Sequence, residues 1–397
     1  MKIVVAMDSF KGTLKAHEAC KIVSNVITEM ISDVIIVTKP MADGGEGTAR
    51  AMIEAANGLW IPAMVMGPLS QMQVEAGFAW FQDQTALVEM ASASGLELLK
   101  PEQFNPLQTT TYGTGELIKA AVQNGAKKII LAVGGSATVD GGVGAATALG
   151  WQFLDHKNNP VPPGGGGLEE ITRIIRPGGS GLGARDSGLG PQAANHEQRT
   201  SRQGGAVEVE VLSDVDNPLC GENGAAEVYG PQKGATPQMV RRLDKGLAHL
   251  AKLVREQLGR DIENIPGAGA AGGLAAGAVA FMDATIVSGI ETVMARSNLR
   301  SELESADWII TGEGSFDRQS LSGKVISGIL KLARETNTRV AVIAGQVNIP
   351  QDEFKNTGIS AAIAAKPDEM PLAKALRESR TLLASATKKF VRQYLSR

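Results

Sequence analysis

Short polar clusters recur along the chain, each just after an expected strand or just before an expected helix. They are Asp8-Ser9-Phe10-Lys11-Gly12-Thr13, Ala42-Asp43-Gly44-Gly45-Glu46-Gly47-Thr48, Thr111-Tyr112-Gly113-Thr114-Gly115-Glu116, Gly134-Gly135-Ser136-Ala137-Thr138 with Asp140-Gly141-Gly142, Ser213–Pro218, Gly230–Gly234 and Thr311–Asp317. Glycine beside Ser or Thr at a helix start lets backbone N–H groups approach phosphate oxygens, and the helix dipole adds favourable charge. Gly134, Gly135, Ser136 and Thr138 fit this best, with Gly44 and Gly45 in the loop ending at Thr48. The competing reading of any one such loop is a turn that needs positive φ or close backbone packing.

Carboxylates beside phosphate cradles make sense when a cation sits between them, and magnesium favours hard oxygen ligands while keeping waters and substrate phosphates. Asp43, Glu46, Asp140, Asp216, Glu313 and Asp317 form the pool of ligands or bases. Lys11, Lys233 and Lys324 lie in the same loops and could neutralise charge on a transferring phosphoryl group, where the catalysis of that chemistry mostly resides.

Several other chemistries lack their signatures. The Walker pattern is absent, because Ser322-Gly323-Lys324 is followed by Val325 where a magnesium-binding hydroxyl belongs. His17, His156, His196 and His249 form no helical i, i+4 pair, so a zinc hydrolase has no support. Gly267-Ala268-Gly269-Ala270-Ala271-Gly272 matches the dinucleotide fingerprint, yet Asp261–Pro266 before it is no convincing strand. A loop packed closely onto a Gly/Ala-rich helix is the preferred reading there.

The elements that must position these loops alternate strand and helix. A strand at Lys2–Met7, a helix at about Ala16–Met30 and a strand at Val34–Thr38 open the chain. Trp308–Thr311, Lys324–Thr336, Val340–Ala344 and Ala361–Ala365 repeat the grammar near its end. Helix-joined strands imply a parallel sheet. The N-terminal pieces supply too few strands for a whole sheet, so residues 1–65 and 290–397 are expected to form one discontinuous Rossmann-like domain. Residues 66–289 would be an inserted α/β domain with a mixed sheet, including a hairpin of Val74–Trp80 and Thr85–Glu89. Within it, about 162–205 reads as a flexible Gly-rich excursion, because Pro162-Pro163, Gly164–Gly167 and the polar run beyond offer little apolar surface to bury.

With 397 residues, 43% of them apolar, the chain is long enough for two cores. A net charge of −3 gives no global reason to approach nucleic acid or an anionic membrane. The weakly polar stretch Gly267–Met282 is shorter than the ~20 apolar residues of a membrane span. Cys20 and Cys220, the only two cysteines, suit a reducing compartment and are expected to be small buried hydrophobes. A soluble, cytoplasmic protein is expected.

In this order the loops resemble the bacterial glycerate kinase family of type I. The resemblance also rests on Glu89-Met90-Ala91-Ser92-Ala93-Ser94-Gly95-Leu96, Thr110–Leu117, Asp214–Leu219, Tyr229–Ala235 and Gly267–Gly273, and covers nearly the whole chain. It implies two α/β domains around a cleft and transfer of the ATP γ-phosphoryl group to D-glycerate with Mg2+, commonly at the 2-hydroxyl. Under that reading Asp43, or second Asp216, orients or deprotonates the attacking hydroxyl and Lys11 stabilises the phosphoryl oxygens. The glycine loops and Lys233 hold ATP, and Glu313 or Asp317 holds magnesium. Two departures stand out: Gly178–Gly205 is longer and more polar than the family pattern, and Ser315-Phe316 replaces a basic or polar pair before Asp317. Monomer and homodimer both remain open. The rival readings are an NAD-dependent dehydrogenase of a small hydroxy acid and a non-catalytic phosphometabolite-binding regulator. Carboxylates among the glycine loops weigh against the regulator, since a pure anion binder gains nothing from them.

Overall fold

The structure is a computed structural model that describes residues 1–395 apart from 11, 43, 46, 179–181, 183–206, 322–323, 351–352 and 355. The chain divides into two compact units, Met1–Leu59 with Ser288–Arg397, and Trp60–Val287.

In the first unit, Ile3 to Met7 are wholly enclosed, a continuous apolar run of the kind a strand needs when both its faces are covered. That strand, Lys2–Met7, lies inside a five-stranded sheet ordered Ile359–Ala364, Arg339–Ala344, Trp308–Gly312, Lys2–Met7, Ile35–Thr38. Every pairing is parallel. Helix Ala16–Met30 buries Ala19, Cys20, Val23 and Ile27, one stripe at three- and four-residue spacing. Helix Val325–Thr336 ends at Asn337 in the left-handed conformation, a residue type that tolerates it. Numbered by sequence, the strand order is 2-1-3-4-5, the flavodoxin-like arrangement whose ligand crevice lies beyond the carboxyl ends of the first and third strands.

The second unit carries a six-stranded sheet ordered Thr285–Val287, Glu208–Leu212, Lys128–Ala132, Thr85–Glu89, Gln73–Trp80, Leu59–Met66. The first four strands pair in parallel, and Gln73–Trp80 runs antiparallel to Thr85–Glu89, so the sheet is mixed. The hairpin turns at Phe81–Gln84 with Gln84 at φ 61°, and Phe81 N–H donates to Thr85 O. Against this sheet pack Leu117 and Ile118 of helix Tyr112–Gln123 and Leu274 and Ala278 of helix Ala270–Met282. A second core gathers Trp151 and Phe153 edge-on to Phe281, with ring centroids 5.1 and 5.2 Å away.

Two expectations need correction. The Gly-rich stretch carries regular structure up to Ile175: Gly165–Glu170 form a 3-10 helix and Arg173–Ile175 a strand beside Gln152–Leu154, with Leu168 and Ile171 enclosed. Its glycines answer to space, since a Cβ on Gly165 would sit 2.3 Å from both Val139 O and a Leu243 methyl, and one on Gly167 would sit 2.1 Å from Pro162 O. Apart from residue 182, the remainder of that excursion, residues 179–205, lies outside the described residues. Cys20 is buried, and burial pushes its thiol up to about 12. Cys220 is only half-buried beside Glu263 and Asp244, and its thiol rises to about 11.

Candidate functional site

The loop Gly134–Thr138 follows the strand Lys128–Ala132 at its carboxyl end and is held from four directions. Ser94 O accepts from Ala137 N (2.9 Å) and Gly135 O accepts from Leu96 N (2.9 Å), so the segment Glu89–Leu96 forms a shelf under the loop. Thr109 Oγ1 donates to Ala137 O at 2.7 Å. Lys233 Nζ donates to Ser136 Oγ at 2.6 Å and to Thr138 O at 2.7 Å. Behind them the Gly272 backbone is so close that a Cβ there would lie 2.0 Å from Thr138 O.

Asp140 is the anchor beyond the loop. It is 1% exposed and accepts from Thr111 N (2.8 Å), Thr111 Oγ1 (2.9 Å), Gly142 N (3.1 Å) and Gly144 N (3.3 Å). Burial raises its pKa, and the backbone and hydroxyl donors pull it back down. These bonds tie the start of helix Tyr112–Gln123 to that of Val143–Ala148. Asp140, first grouped with the magnesium ligands and bases, is therefore an internal fastener with its oxygens already engaged. Lys233 is 5% exposed, and burial lowers its ammonium from 10.5 to about 7, with the charge of Asp140 working the other way.

What the loop presents outward is backbone. Gly135 is exposed at φ 76°, and among the described residues the N–H groups of Gly135 and Ser136 donate to no protein acceptor. Two unspent backbone donors on a braced loop suit an anionic oxygen. Thr138, expected at the nucleotide with them, is fully enclosed. Its carbonyl serves Lys233, and its hydroxyl has no hydrogen-bond partner among the described residues. Lys233 likewise acts on the loop, committing two of its three ammonium N–H groups to Ser136 and Thr138.

The remaining sequence-derived candidates are spread over other loops. Asp216 is exposed after strand Glu208–Leu212, next to Asn217, which is fixed by Tyr229 Oη (2.7 Å) and Asn223 O (2.8 Å). Gly44 and Gly45 precede helix Thr48–Ala56, where Gly44 takes φ 89° and Thr48 Oγ1 donates to Gly45 O at 2.6 Å. Glu313 is half-buried just past the central strand Trp308–Gly312. Asp317 uses Oδ1 to accept from Gln319 N (2.9 Å) and Ser320 N (3.4 Å), capping the short helix Arg318–Leu321, and its Oδ2 bonds to nothing among the described residues. Lys11, Asp43 and Glu46 lie outside the described residues. No group of three or more His, Cys, Asp or Glu side chains forms a metal cage among the described residues. Magnesium does not need one, since one or two carboxylates with waters and substrate phosphates suffice, and Glu313 with Asp317 Oδ2 fits that donor set.

Sequence reasoning missed the hydroxyls that do the holding: Thr109, Thr111, and the buried pair Ser94 Oγ and Thr114 Oγ1 at 2.9 Å. The only signal was the density of Ser and Thr in Glu89–Leu96 and Thr109–Thr114. The Gly267–Gly272 stretch behaves as its preferred reading requires. Residues 261–266 form no strand, and Gly272 and Gly273, at φ 66° and 87°, pack against Thr138–Val139 and Leu219.

Residues 3–395 match the model of the glycerate kinase family. The chain belongs to the glycerate kinase family. Among similar members, a Halalkalibacterium halodurans protein named glycerate kinase is 41% identical over 97% of this chain and 96% of its own. An Escherichia coli K12 protein named glycerate 2-kinase is 40% identical over 92% of this chain and 90% of its own. The crystal structure assigned to glycerate kinase 2 of Salmonella typhimurium LT2 superposes with a TM-score of 0.81 at 38% identity, covering 99% of this chain and 97% of that one. This family member thus has the two-unit α/β fold expected of it, with one parallel and one mixed sheet. Among its described residues no helix is long and apolar enough to cross a membrane.

Proposed function

We propose that this chain is a cytoplasmic, ATP- and Mg2+-dependent kinase that phosphorylates D-glycerate at the 2-hydroxyl, giving 2-phosphoglycerate and ADP. The observation that supports the reading is the braced Gly134–Thr138 loop, whose Gly135 and Ser136 N–H groups donate to no protein acceptor among the described residues, in a chain of the glycerate kinase family. Donors fixed before the ligand arrives need no reorganisation as charge develops, which is the main protein contribution to phosphoryl transfer. The glycerate hydroxyl oxygen bonds to the γ-phosphorus as the β,γ-bridging bond breaks, and the hydroxyl proton passes to Asp43 or, second, to Asp216. Lys11 neutralises the phosphoryl oxygens. Glu313 and Asp317 would hold magnesium, whose contribution is to neutralise the phosphates.

The test is a coupled ADP-release assay with ATP, Mg2+ and D-glycerate, with phosphorus NMR of the product. ADP that appears only with glycerate, and a 2-phosphoglycerate resonance, are expected. Folded protein that releases no glycerate-dependent ADP would overturn the reading, and a 3-phosphoglycerate resonance would overturn its regiochemistry.

A further inference from the structure

The first unit contains an apolar groove that none of the roles above uses. It lies past the carboxyl ends of strands Trp308–Gly312, Arg339–Ala344 and Ile359–Ala364, close to the flavodoxin-like crevice. One wall is bare backbone, Gly314 and Gly345, tied together by Gly345 N to Glu313 O (2.9 Å) and Gln346 N to Gly314 O (3.0 Å). The opposite wall is the helix Leu372–Arg377, which shows Leu372 (56% exposed) and Leu376 (46% exposed) instead of burying them. Phe10 closes one end.

The helix is deliberately held there. Lys366 Nζ donates to the carbonyls of Pro367 (3.0 Å), Asp368 (3.1 Å) and Met370 (3.1 Å), so its ammonium locks the turn that leads into Leu372. Lys366 N donates to Gly345 O at 2.9 Å, fastening the same turn to the bare wall. Glycine backbone and leucine side chains give the groove an apolar lining that suits an aromatic ring, and Gln346 lines it too. The Gln346 side-chain amide makes no hydrogen bond among the described residues, and an amide is the group that pairs with the donor and acceptor on the N6/N7 edge of adenine.

We infer that this groove takes the purine ring of the nucleotide donor, between Gly314–Gly345 and Leu372–Leu376, with Gln346 reading adenine. The inference rests on the ATP-dependent reading above. It also leads from the base toward Glu313 and Asp317, which flank Gly314 in sequence and are the proposed holders of magnesium.

The test compares wild type with Leu376→Asp, a change at a solvent-facing position, so folding is preserved. The KM for ATP is expected to rise about tenfold or more, because a carboxylate would face the apolar ring, while the KM for glycerate stays within about twofold. An unchanged KM for ATP in an active enzyme overturns the inference. Gln346→Lys is expected to lower the ratio of kcat/KM for ATP over GTP, and an unchanged ratio overturns the adenine assignment. Wild type that fails to phosphorylate glycerate refutes the kinase reading separately. Calorimetric titration with adenosine then decides the groove: binding by wild type that Leu376→Asp abolishes supports it, and absent or equal binding overturns it.

Discussion

Replacing Lys233 with Met tests whether a buried ammonium braces the Gly134–Thr138 loop. In the folded protein burial lowers this lysine from 10.5 to about 7, while the unfolded chain keeps the ordinary value. Between those two pH values the unfolded state binds the extra proton, so stability rises with pH across that window. Below about pH 7 both states are protonated and the cost of burying the charge is fully felt. Each pH unit inside the window is worth about 1.4 kcal/mol, so moving from about pH 7.5 to about pH 9.5 should stabilise wild type by ~2–3 kcal/mol through this group alone. The Met variant has no proton to lose. It also leaves Ser136 Oγ and Thr138 O without the donor they share, a roughly pH-independent cost of about 1–3 kcal/mol. The gap between the two proteins should therefore widen with pH across the window. Urea unfolding of both proteins at several pH values across the window reads it directly. Parallel stability profiles would show that Lys233 keeps its ordinary pKa in the folded protein, and the argument that burial lowers it would fall.

Asp140→Asn puts an amide NH2 among the Thr111, Gly142 and Gly144 donors, so the urea midpoint should fall by an amount worth ~2–4 kcal/mol; a loss under about 0.5 kcal/mol would mean that the carboxylate is not a fastener. Gly272 and Gly259 share nearly the same φ, 66° and 67°, but a Cβ on Gly272 would meet Thr138 O at 2.0 Å while one on Gly259 meets nothing within 4 Å. Gly272→Ala should therefore cost ~3–5 kcal/mol or abolish soluble expression, against about 1 kcal/mol for Gly259→Ala. Thermal melts of the pair check this, and equal losses would reduce both to backbone strain. Asp43→Asn should leave the melt unchanged and lower kcat on glycerate by about 10²-fold or more, and near-normal turnover would remove Asp43 from the proton-accepting role.

The architecture was legible wherever burial leaves a periodic or continuous trace. Ile3–Met7 is apolar throughout because both faces of its strand are covered, and Ala16–Met30 shows its stripe because only one face is. Glycine is where reading by composition divides. The fingerprint-like Gly267–Gly272 was recognised as close packing because a missing strand denied it a ligand role. Gly164–Gly167 has the same physical cause, backbone against Val139 O and Pro162 O, but reads as flexible in sequence because the prolines, glycines and polar run there offer little apolar surface to bury. A glycine needed by a contact many residues away is indistinguishable, in one dimension, from a glycine needed by nothing. The site shows the same limit with charge. Asp140 and Lys233 stand in loops that read as phosphate-facing, and their residue types are right for that work. Yet the partners that enclose them, Thr111 and Ser136, lie 29 and 97 residues away in the chain. Only the fold turns Asp140 and Lys233 inward and leaves the unspent donors of the loop to the Gly135 and Ser136 amides, groups that carry no side-chain signature at all.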